Sequence, residues 1–224
     1  MAQIFVSHSA EDRHLVDFFS NAFAGTKVRA VFEEFEKILK GIITTSKVST
    51  DIGSSNAVFV ILSQNVQSIP HTRDWVVWET GVAKNKDIWV FEPYPYLQFG
   101  RISVVIPYLR HYVMFDINDA WLGYIQRIIE SYDDSHILPT ALLTGLTAAG
   151  IGVALAEKDK AGGAILGGIG GAIVGLAISD KSKERPMGLN VKCINCYSTY
   201  SIHLPQGLNK FRCPVCNSFL KIQV

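Results

Sequence analysis

The run Ala57-Val-Phe-Val-Ile-Leu62 constrains this chain more than any other stretch, because six consecutive apolar residues leave no side chain to face water. A strand of that kind is buried on both faces, which is the condition of a central strand in a parallel sheet covered by helices above and below. The flanking sequence supplies the rest of such a sheet. Ile4-Phe-Val6 reads as a first buried strand and Lys27 to Phe32 as a second, by alternation. Ile88-Trp-Val-Phe91 and Tyr112-Val-Met-Phe115 read as a fourth and a fifth. Between them the apolar residues switch to a helical period. Leu15, Val16, Phe18, Phe19 and Phe23 mark one helix, and others are expected up to about Gly53, from about Thr72 to Lys84 and from Asp119 to Ser131. Strands alternating with helices imply an α/β fold with a doubly wound parallel sheet and right-handed crossovers.

In such a sheet, ligands bind beyond the carboxyl ends of the strands, where the strand order reverses. Ser7, His8 and Ser9 and the loop after Phe32 fall at those ends. Trp75 and Glu79 stand four residues apart on the helix after the third strand, so they share one face. An aromatic ring beside one carboxylate can hold a nucleoside and stabilise a cation formed from it. Trp75 reads equally as core packing, and His8 equally as a turn residue. The net charge of +1 gives no global field for an acidic partner, so charge-driven binding has to be local. Met1-Ala-Gln is followed directly by the first strand, without a basic stretch and a long apolar run, so the first unit is expected in the cytoplasm.

Residues 1–132 resemble a Toll/interleukin-1 receptor (TIR) domain. Ile4-Phe-Val-Ser-His-Ser-Ala-Glu-Asp12 resembles the first strand and turn of its bacterial and archaeal members. Phe32-Glu-Glu-Phe35 resembles the opening of the BB loop, and Asn56 to Ser63 the third strand with its terminal serine. Asp74-Trp-Val-Val-Trp-Glu79, with Ala83 and Lys86-Asp-Ile88, resembles the catalytic helix and next strand of the NAD-cleaving prokaryotic branch. The resemblance implies a flavodoxin-like, five-stranded parallel sheet. It also implies NAD+ as substrate, cleaved between nicotinamide and ribose by Glu79 to give ADP-ribose or a cyclic or branched isomer, in antiviral defence. Ser7, His8, Ser9, Phe32, Glu34 and Trp75 would line the substrate, and self-association of TIR domains would complete the site. The alternative is a non-catalytic TIR scaffold whose oligomerisation drives a membrane-disrupting segment.

Composition changes after Tyr132. Ile137 to Ala156 and Ala161 to Ser179 carry no charge, and ten of the chain's 18 glycines fall between 140 and 178. Each run matches the roughly 20 residues that cross a bilayer, and its glycines suit close helix packing in lipid. Residues 133–186 therefore read as a helical hairpin, either a two-helix membrane segment through 137–179 or a soluble Gly/Ala-rich oligomerisation segment. Lys181, Lys183 and Arg185 would keep both end domains in the cytosol.

Cys193-Ile-Asn-Cys196 and Cys213-Pro-Val-Cys216, 16 residues apart, have the spacing of a four-thiolate zinc site. Residues 187–224 read as a small zinc-ribbon β module holding one structural Zn2+ per chain. Tyr200, Lys210, Phe211 and Arg212 are its candidates for nucleic-acid contact, but so few basic residues accompany them that nucleic acid is not an expected partner.

Overall fold

The computed structural model describes residues 1–33, 41, 44–94, 104–106, 108–133 and 185–222. Its strands are β1 (Gln3–Ser7), β2 (Arg29–Glu33), β3 (Ala57–Ile61), β4 (Asp87–Pro93), β5 (His111–Phe115), β6 (Leu189–Lys192), β7 (Thr199–His203), β8 (Lys210–Arg212) and β9 (Phe219–Lys221). The helices are α1 (Arg13–Phe23), α2 (Thr45–Ser54), α3 (Gln64–Ser68), α4 (Pro70–Val82) and α5 (Asp119–Glu130). The two expected runs at 137–179 lie outside the described residues. So does Glu34. No helix among the described residues is long and apolar enough to cross a membrane.

Local sequence sets the helix boundaries. The Thr44 hydroxyl accepts from the Lys47 amide at the start of α2, and Asn118 Oδ1 from the Trp121 amide at the start of α5. Each satisfies an amide left over by the first turn. Proline opens α4, where its missing N–H costs nothing. Short α3, which the periodicity does not reveal, is capped by Ser63.

The main sheet runs β2-β1-β3-β4-β5-β7-β6. Its first six strands in that order are parallel, and β6 pairs antiparallel with β7. Every residue of β3 is buried, as its apolar run requires. Alternation sorts the strand side chains into two layers. Val6, Phe59, Trp89, Phe91, Val113 and Phe115 pack against α1 and α5. Phe5, Val58, Val60, Ile88, Val90, Tyr112 and Met114 pack against α2, α3 and α4.

The sheet has seven strands where five were expected. β7 of the cysteine module pairs with β5 from His111↔Ser201 to Val113↔His203, so the strand that would have been an open edge is covered. On one face Tyr200, Ile202 and Phe211 continue the α2–α4 layer, with the Phe211 ring 6.4 Å from that of Tyr112. On the other face the seam is polar. The Tyr124 hydroxyl of α5 bonds to Nδ1 of His203, and the Trp89 indole N–H donates to the Tyr132 hydroxyl at 2.7 Å. Asp87 accepts from Tyr132 and, at 2.7 Å, from Arg185, and lies 3.2 Å from Nε2 of His111. Arg185 also donates to the Ser131 hydroxyl at 3.1 Å.

Burial raises the Asp87 carboxyl, but the bonds from His111 and Tyr132 and the charges of His111 and Arg185 outweigh it. They hold the group well below the usual carboxylate range. Burial pushes His203 down to about 3, with the charge of His111 adding to it, so its ring is neutral in the fold. Gly188 lies against this seam, where an added Cβ would come within 2.3 Å of Ser201 Oγ and 2.5 Å of His203 Nε2.

Candidate functional site

Two side chains of the expected site, Ser7 and Glu79, meet where β1 ends. Ser7 closes β1 and points to the α2–α4 side, the face that its neighbour Phe5 also serves. Its hydroxyl donates to Oε2 of Glu79, which α4 presents from above. Glu79 is only 1% exposed. One turn earlier on α4, the Trp75 ring stacks on Trp78 at 4.5 Å and 24°, half-buried against the same apolar layer. Trp75 therefore contributes to packing, with one ring face already covered.

His8 and Phe32 fall on the other side. Phe32 is paired with Val6 in the register and packs with it in the α1/α5 layer, so the sheet separates it from Glu79. The His8 ring lies 5.7 Å from that of Phe32, and its Nδ1 is 3.1 Å from the Ser9 carbonyl, a contact that puts the ring proton on Nδ1. Ser9 is buried and organises the turn: its carbonyl accepts from the Asp12 amide and its hydroxyl from the Glu11 amide. Ser7 and Glu79 are thus joined directly, while His8, Ser9 and Phe32 form the flank of the same strand ends.

Two further carboxylates lie at these strand ends. Asp12 precedes α1 at the position of a cap, yet its side chain turns away from the helix and accepts from Ser63 Oγ and, at 2.7 Å, from Asn65 Nδ2. This ties the turn after β1 to the turn after β3, its neighbour in the sheet. Glu92, near the end of β4, is buried and accepts from the Tyr112 hydroxyl. Asp12 stands in the polar turn that follows β1, but Glu92 lies one residue beyond the apolar run that marks β4 and has no signal of its own.

The four cysteine sulfurs lie within 4.8 Å of one another. Cys193 and Cys216 are 3.6 Å apart, and Cys196 and Cys213 3.8 Å. Those separations are far beyond a disulfide bond of about 2 Å. They match the roughly 3.8 Å edge of a tetrahedron whose centre lies about 2.3 Å from each sulfur. The Ser198 and Ser218 hydroxyls sit 3.3 and 2.9 Å from the sulfurs of Cys196 and Cys216. The donor set fits a four-coordinate soft metal ion with no ligand position left open. Tyr200 and Phe211, two of the nucleic-acid candidates, are buried in the layer beneath it.

No protein-family model, no curated protein and no solved structure matches this chain.

Proposed function

We propose that the chain is a TIR-type NAD+ glycohydrolase or cyclase in which Glu79 acts on the nicotinamide–ribose bond. The observation that carries the reading is the Ser7–Glu79 pair at the carboxyl end of a parallel sheet whose first five strands run β2-β1-β3-β4-β5. That order supports the flavodoxin-like reading, in which the switch point lies beside β1 and β3.

The nicotinamide of NAD+ leaves as a neutral ring from a cationic pyridinium, so no acid has to protonate it, and the barrier lies in the cationic ribose. One carboxylate can stabilise that cation, in contrast to the carboxylate pairs of ordinary glycosidases. A single preorganised group of this kind contributes roughly 10²–10³ in rate. Ser7 holds the carboxylate in place, and the turn through His8 and Ser9 offers donors at the strand end. In this reading Glu79 is enclosed in the single chain, and self-association of the first domain or substrate binding opens it to NAD+. The cysteine site holds one structural zinc ion, because four thiolates leave it no catalytic position.

A second reading draws support from the burial of Glu79 under Ser7: a non-catalytic scaffold in which that pair only fastens α4 to β1. NAD+ turnover by the concentrated full chain decides between them. Product formation that falls at least about 100-fold in Glu79→Gln supports the enzyme. Turnover unaffected by the substitution removes Glu79 from its role, and no turnover in either protein transfers the case to the scaffold.

A further inference from the structure

The cysteine module carries charge and apolar surface in a pattern that the site above does not use. All 20 acidic residues of the chain precede Arg185, while Lys192, Lys210, Arg212 and Lys221 follow it. Four thiolates around a divalent ion remove two charges, which leaves the module about +2. Exposed apolar side chains gather here as well. Ile194 is 73% exposed, Tyr197 70% and Phe219 61%, and Met187 and Leu189 are also open to solvent.

Strand alternation puts part of this set on one face. In the β8–β9 ribbon, Phe211 pairs with Leu220, and both face the apolar layer on Tyr112. The neighbouring pairs Lys210↔Lys221 and Arg212↔Phe219 therefore share the outer face. Three cations share that face with the exposed Phe219 ring, and the Arg212 guanidinium lies 5.1 Å from its centroid.

The first cysteine knuckle repeats the combination. Tyr197 has φ +61°, where its counterpart Asn217 in the second knuckle has φ +62°. Asparagine tolerates this left-handed conformation, whereas a bulky tyrosine is strained in it. Burial does not repay that strain, since the ring stands in solvent with Lys192 Nζ 5.7 Å from its centroid.

We propose that the outer face of the β8–β9 ribbon, with the first knuckle, docks on an anionic lipid surface. Phe219, Tyr197 and Ile194 enter the headgroup boundary, and Lys192, Lys210, Arg212 and Lys221 meet the lipid phosphates and carboxylates. Exposed apolar side chains beside Lys192 and Arg212, in a stretch without a single acid, have the composition of a peripheral membrane surface. Single-stranded nucleic acid would use the cations and the two rings, but it gives no role to the exposed Ile194.

The test uses the full, metal-loaded chain with phosphatidylcholine vesicles and with vesicles containing about 30% phosphatidylserine, followed by hydrogen exchange and by sedimentation. Insertion of another segment would protect other amides, so protection at residues 192–198 and 210–221 reports the module. Anionic vesicles should protect the amides of residues 192–198 and 210–221, and neutral ones should not. Partition should weaken about 25-fold in the double variant Lys210→Gln/Lys221→Gln, at about fivefold per charge. It should weaken again in Phe219→Ser and in Tyr197→Asn, which keeps the left-handed turn. Metal content checks that each variant is folded. Equal protection by both vesicle types, or partition indifferent to salt between about 0.05 and 0.5 M, overturns the proposal. So does protection of the same amides by a thymidine oligonucleotide but not by vesicles.

Discussion

His203 makes the attachment of the cysteine module sensitive to acid. In the fold its pKa is about 3, because burial between Tyr124 and Trp89 disfavours the charged ring. In the unfolded chain it returns to about 6.5. Between these values the unfolded state binds the proton and the folded state does not, so stability falls as pH drops through this window. The full difference corresponds to about 5 kcal/mol, of which about 2 kcal/mol is lost on going from about pH 8 to about pH 5.

His203→Asn keeps an acceptor for the Tyr124 hydroxyl and removes the titration. The variant should be less stable at about pH 8, since a smaller side chain leaves a gap, but its further loss down to about pH 5 should be smaller than that of the parent by about 2 kcal/mol. Urea unfolding at both pH values, with metal saturated, measures the difference. Parallel pH profiles in the two proteins would refute a neutral, buried His203.

Other outcomes follow from the same seam and its metal site. Gly188→Ala drives a methyl group into Ser201 Oγ and His203 Nε2 and should cost about 1–3 kcal/mol, seen as a lower Tm. Combining it with Ser201→Ala should recover part of that loss. Stripping the metal with a chelator should release Phe211 from Tyr112 and cost β5 about 3 kcal/mol of protection, the value of one large core aromatic. Hydrogen exchange at residues 111–113 reads that effect, and unchanged protection there would separate the metal from the sheet.

Much of the fold could be read from local sequence. The apolar run at 57–62 and the period of α1 carry strand and helix without help from distant residues. The cysteine spacing likewise brings four sulfurs into one cluster. What stayed hidden depends on distant pairing. β7 joins β5 across more than 80 residues, and nothing in His111-Tyr-Val-Met-Phe115 distinguishes an edge strand from one that will be covered. Phe32 illustrates a finer loss. The resemblance counts it among the residues lining the substrate, and the register with Val6 places it on the face of the sheet opposite Glu79. Asp12 and Ser63 meet through side chains of two turns 51 residues apart, which no periodicity records.

The clasp of Arg185 on Ser131 and Asp87 has a consequence for how this chain can change. The bonds from Arg185 to Ser131 and Asp87 make positions 131 and 185 neighbours. Lengthening or replacing a stretch whose ends are already closed adds little entropic cost, because closure entropy grows only with the logarithm of length. With Arg185, Ser131 and Asp87 held together, a change in the number of residues between 133 and 185 would leave the sheet, the carboxylates and the sulfur cluster in their places.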